Sequence, residues 1–97
     1  VYKNDPLIDS AYYWLGETYF AKKQYDKAAI NYLKGYKIAP EGEKAGDNLL
    51  RLSISLVKLN KKAEACSTLS KIISGKMNIS EKIIQNAKSE FSKNSCN

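Results

Sequence analysis

The sequence predicts an all-α domain built from helical hairpins, and three observations carry that prediction. Apolar residues recur at i, i+3, i+4 and i+7 through nearly the whole chain, and no stretch alternates strictly as a half-buried strand does. Short polar, Gly or Pro breaks divide the pattern into five segments and leave no room for a sheet. The chain has 97 residues, 43% hydrophobic and 27% charged, with two Pro and five Gly, which is the composition of one globular domain.

The elements follow in order. Asp5-Pro6 is an acceptor cap followed by Pro at the first helical position, which opens a helix over about 6–22. Lys22-Lys23-Gln24 breaks it, and a second helix runs from about 25 to 39, where Pro40 stops it. Glu41-Gly42 makes the turn into a third helix over about 44–59. Asn60-Lys61 marks the next break, and a fourth helix over about 62–74 ends at Gly75, placed for a left-handed cap. Ser80 caps a fifth helix over about 80–93, with Ile79 and Ile84 placed as a hydrophobic staple.

The helices repeat in pairs. The first pair reads Tyr12-x2-Leu15-Gly16-x2-Tyr19, then Ala28-x3-Tyr32, then Gly35 and Pro40. Gly16 and Ala28 are small where two helices cross closely, while Tyr12, Leu15, Tyr19 and Tyr32 fill the space between helices. Pro40 ends the unit. This is the tetratricopeptide pattern, with Tyr in the Trp and Phe places. The second pair reads Leu49-x2-Leu52-Ser53-x2-Leu56, then Ala65-x3-Leu69, and Ser53 keeps the small-residue requirement. Gly16 and Ser53 lie 37 residues apart, and Ser53 and Ala87 lie 34 apart. The prediction is therefore a tetratricopeptide helical-hairpin solenoid forming a single domain over 1–97. Repeat one covers about 6–40, repeat two about 44–74, and a C-terminal capping helix about 80–93 hides the apolar face of the second pair.

The wording inside the repeats resembles a narrower family. Tyr13-Trp14-Leu15-Gly16-Glu17-Thr18-Tyr19, Tyr25-Asp26-Lys27-Ala28, Asp47-Asn48-Leu49-Leu50-Arg51-Leu52 and Thr68-Leu69-Ser70-Lys71-Ile72-Ile73 are similar to the C-terminal domain of periplasmic Tol-Pal-associated proteins of the YbgF type. The resemblance spans about residues 5–90. It implies a periplasmic adaptor that binds TolA or a peptidoglycan-synthesis component and helps couple outer-membrane constriction to wall synthesis in cell division. It also implies a trimer through an N-terminal coiled coil, which is not in this sequence. Two departures bear on the partner: Ser53 stands where the family has Gly, and Ile54–Val57 lack its Tyr residues. A rival reading is an oligomerisation or outer-membrane assembly component that uses an apolar stripe for subunit contacts.

Composition excludes several chemistries. There is no His, no Gly-rich phosphate loop and no paired-carboxylate arrangement, so no enzyme, cofactor or metal site is expected. No apolar run reaches the roughly 18 residues that a membrane helix needs. The net charge of +6 lies wholly in residues 51–97, with nine basic residues against three acids; residues 1–50 carry seven of each. Fifteen of the sixteen basic residues are scattered Lys and Arg51 is the exception, which disfavours nucleic acid. The surplus is expected to steer an acidic partner toward the binding surface.

That surface is expected on the inner face of the first helix of each pair. One step beyond the core stripe lie Tyr13, Glu17 and Phe20 on the first helix, then Leu50, Ile54 and Val57 on the third. Ile84, Lys88 and Phe91 follow on the fifth. Such a second apolar stripe is either a groove for a partner segment or a part of the core. Cys66 and Cys96 are either two free thiols or, as a periplasmic setting would favour, a disulfide pinning the tail to the fourth helix.

Overall fold

Five helices account for most of the described residues, and each lies within a residue or so of the span its periodicity predicts. The computed structural model describes residues 6–96, with side chains described from Ser10 onward; the Asp5 cap lies outside that range. Helices α1 (Pro6–Ala21) and α2 (Tyr25–Ile38) form the first hairpin, and α3 (Ala45–Lys58) and α4 (Lys62–Ile73) form the second. Helix α5 (Glu81–Lys93) packs on α4 and α3. There is no strand among the described residues. Each helix lies against the next, which is the quasi-linear stacking of a solenoid.

The hairpin crossings explain the small residues. A Cβ built on Gly16 would fall 2.6 Å from the Tyr32 ring, and one on Gly35 would fall 2.7 Å from the Asn48 amide nitrogen. Ala28, Tyr32, Ala65, Leu69, Ile72 and Ala87 are completely buried and form the centre of the core. Ser53 is also buried, and its hydroxyl donates to the Leu50 carbonyl 2.6 Å away, satisfying the one polar group it brings inside. Asn48 is fully buried too, and its amide atoms have no hydrogen-bond partner among the described residues.

Helices α1, α3 and α5 end in the same way. Lys23, Asn60 and Ser95 adopt left-handed backbone, with φ of 62°, 62° and 54°. The residue after each donates its N–H back five positions: Gln24 to Tyr19, Lys61 to Leu56 and Cys96 to Phe91, at 2.8–3.0 Å. This motif satisfies carbonyls that the helix end would leave open. Helix α5 thus ends in the same backbone turn as the first helix of each hairpin. The left-handed Gly75 beyond α4 has φ of 77°.

One expectation about packing changes. Leu15 does not fill the space between helices: it is 43% exposed, because no described helix lies on that side of α1. Its counterpart Leu52 is only 7% exposed, since in the second repeat α2 precedes α3 and packs against it. Ile79 does contribute at the entry to α5, where it packs with Ile83 over Gly46. Tyr12 and Tyr19 are half-buried and Pro40 is exposed just past the end of α2.

Candidate partner-binding groove

Helices α1, α3 and α5 stand side by side and enclose a groove of about 640 Å³. Tyr13 and Glu17 form one wall, Leu50 and Ile54 the floor with Asp47 and Arg51 at its edge, and Lys82, Ile83, Asn86 and Glu90 the opposite wall. Four of the residues expected to line it therefore do so: Tyr13, Glu17, Leu50 and Ile54. Leu50 belongs to the core as well, being buried at 8% exposure.

Phe20 and Val57 do not line the groove. Phe20 is turned into the hairpin, with its ring 5.1 Å from Tyr25 edge to face and the Arg51 guanidinium 4.3 Å above it. Val57 is half-buried near the end of α3, beyond the groove's reach. Helix α5 is rotated from the expected register. It turns Ile83, Asn86 and Glu90 inward, whereas Lys88 and Phe91 face a smaller pocket of about 360 Å³ against Ile73 on α4. The reason is that Ala87 and not the neighbouring stripe takes the closest approach to the core.

Glu17 is not a free groove carboxylate. Its Oε1 accepts from the Tyr32 hydroxyl and from Arg51 Nε at 2.7 Å. One side chain from each of α1, α2 and α3 meets there, so the network joins repeat one to repeat two. Burial, then the hydrogen bond to the Glu17 carboxylate, raises the Tyr32 hydroxyl far above its ordinary value. Burial pulls the Arg51 guanidinium down, but the Glu17 carboxylate outweighs it and leaves the group above its ordinary value. Burial and the nearby Glu17 also raise the Tyr13 hydroxyl. Arg51, the one Arg in the chain, thus places its planar guanidinium against both the Glu17 carboxylate and the face of the Phe20 ring.

Trp14 is the residue that the sequence reading passed over. It is 59% exposed and stands edge-on to Tyr13 at 5.1 Å between ring centroids. The Lys44 ammonium lies 4.7 Å from the Tyr13 centroid and 5.7 Å from that of Trp14, making an aromatic lip with a cation on it. Its signal was present in the motif, since Trp14 falls between two pattern positions where nothing in the hairpin requires a large ring.

The basic surplus does not line the groove. The lining carries Glu17, Asp47 and Glu90 against Arg51 and Lys82, so the groove itself has no excess of positive charge. Cys66 and Cys96 are joined in a disulfide, with Cα atoms 5.3 Å apart, which resolves the alternative left open by the spacing. No group of three or more potential metal ligands occurs among the described residues. No helix among them is long and apolar enough to cross a membrane.

Two family models match, both described as tetratricopeptide repeat, one over residues 10–41 and the other over 47–74. The chain carries two tetratricopeptide repeats, and repeats of this kind are protein-interaction modules. No curated protein and no solved structure matches it.

Proposed function

We propose that this domain is a periplasmic adaptor that receives a segment of a protein partner in the α1–α3–α5 groove. The observation that carries the reading is the groove itself, with Leu50 and Ile54 as its floor and the exposed Trp14 at its lip. Exposed Trp beside a desolvated apolar floor is the arrangement that dominates binding energy at interfaces. The Cys66–Cys96 bridge supports an oxidising compartment. The Tol-Pal resemblance supports TolA as the partner, or a component of peptidoglycan synthesis, in a cell-division role. A trimer formed through a preceding coiled coil would present three such grooves and multiply weak contacts.

Calorimetric titration with periplasmic fragments of TolA tests this directly. Binding is expected, weakened about tenfold or more by Trp14→Ala and by Ile54→Lys, with the helical circular dichroism unchanged. Binding that is indifferent to both substitutions removes the groove as the site. No binding at all removes TolA as the partner.

A second reading has its own observation. Leu15, Ile30 and Leu33 are exposed on the first hairpin and none of them lines the groove. An oligomerisation or outer-membrane assembly component would use them for subunit contacts. Sedimentation across a concentration series separates the two: a monomer throughout supports the adaptor, and a tight oligomer abolished by Leu15→Lys supports assembly.

A further inference from the structure

We infer that the Cys66–Cys96 disulfide is a redox latch on the third wall of the groove. A dithiol that reduces it releases the C-terminal half of α5 from α4 and opens the groove at its Ser89–Glu90 end, while both repeats remain folded. This rests on the reading of that groove as the partner site and adds its regulation.

Three observations lead to it. Helix α5 supplies one entire wall, yet Ala87 is its only fully buried residue, whereas α3 buries eight of its own. Helix α1 packs along α2, and α3 along both α2 and α4, whereas α5 packs less extensively on α4 and only lightly on α3. Cys96 occupies the position that Gln24 and Lys61 hold at the other two corners, where the second helix of a unit begins, and its sulfur is bonded to Cys66 on α4. The bridge therefore holds the C-terminal corner of α5 against α4.

The two ends of α5 are held by different means. At the N-terminal end Ile79 packs on Gly46 and Ser80 caps the helix, its hydroxyl accepting from the Ile83 N–H. The C-terminal end has Phe91 at the α4 seam, and the bridge. Both half-cystines are only partly buried, so a small thiolate can reach them. Exchange begins when that thiolate attacks one sulfur, breaking the S–S bond and forming a mixed disulfide. The second thiol of the reductant then resolves it. Two electrons and two protons pass to the protein, Cys66 and Cys96 become thiols, and the reductant leaves as a disulfide. The bridge closes a loop that runs from Cys66 through most of α4, the 74–80 link and α5 and takes in no residue of the first repeat, so its loss does not loosen that repeat.

Amide hydrogen exchange on the full chain tests the latch without any partner. It is measured in the oxidised form, in dithiothreitol, and in the Cys66→Ser/Cys96→Ser variant. Amides in the last two turns of α5 are expected to exchange at least about tenfold faster in both bridge-free samples, with α1 to α3 changed less than about twofold. Reoxidation is expected to restore the slow rates. Unchanged α5 rates overturn the latch. Equal acceleration in all helices also overturns it, because the bridge is then a staple of the whole domain. Either failure leaves the groove to be judged by the TolA titration alone.

Discussion

The two repeats place the same backbone under different side chains, and the differences compensate in pairs. Where repeat one sets Gly16 under the Tyr32 ring, repeat two has Ser53 and Leu69 at the positions 37 residues on, both buried. The flatter, larger ring demands that no Cβ be present, while an aliphatic side chain leaves space for a small one. Ala28 and Ala65 are completely buried at the same position in both. The repeat thus conserves a total thickness at the crossing, not an identity at either residue. A second contrast lies one turn away on the inner face. Trp14 of repeat one is exposed and available, while Arg51, its counterpart, is consumed in tying the repeats together.

The largest effect is expected from breaking the first pair. Gly16→Ala forces a Cβ into the Tyr32 ring and should cost about 2 kcal/mol in urea denaturation, despite the better helix propensity of Ala. Adding Tyr32→Leu to that chain should recover part of the loss, whereas strict additivity of the two substitutions would show that the positions do not compensate. Ser53→Ala, in contrast, should change stability by no more than about 0.5 kcal/mol.

Next in size is the link between the repeats. Arg51→Ala leaves the Glu17 carboxylate with the Tyr32 hydroxyl alone and should cost about 1–2 kcal/mol, measured by the same denaturation. Trp14→Ala, at the matching position, should leave the denaturation curve where it was.

Alkaline pH probes the same network. The Tyr32 hydroxyl is raised in the folded state, so the unfolded chain gives up that proton first. Its contribution is intact below the ordinary tyrosine value near 10 and is lost as pH rises beyond it. Stability measured above that pH should fall less steeply in Tyr32→Phe than in the parent.

The smallest effect compares corners. Lys23 holds a left-handed φ although Lys, unlike the Asn at position 60, is not a residue type that favours one. Lys23→Gly should stabilise the domain by about 0.5 kcal/mol, and Asn60→Gly by less, as read from thermal denaturation.

The helices and their pairing were legible because apolar period and breaker residues are local signals, and all five segments carry them. The small residues at 16, 28, 53 and 65 were legible for the same reason. Partnerships across helices were not. Nothing in the spacing says that Glu17 and Arg51, 34 positions apart, will meet, so Glu17 read as a groove residue and Arg51 as a charge. Leu15 read as core because the pattern assumes a preceding helix, which α3 has and α1 lacks among the described residues. The rotation of α5 escaped because a helix packed on one side only has a weakly determined face. Whether Cys66 meets Cys96 depends on the path of the intervening link, which periodicity does not fix.

The three matched helix endings have a consequence for length. Lys23, Asn60 and Ser95 turn the chain through one corner three times, with the same backward hydrogen bond at each. A segment running from Gln24 to Asn60 begins and ends at equivalent points of that corner. Copying it in tandem after Asn60 adds one repeat without inventing a new turn, and gives a longer inner face with a second floor like that of Leu50 and Ile54. The domain is in this sense a ruler with a movable end, graduated by its corners.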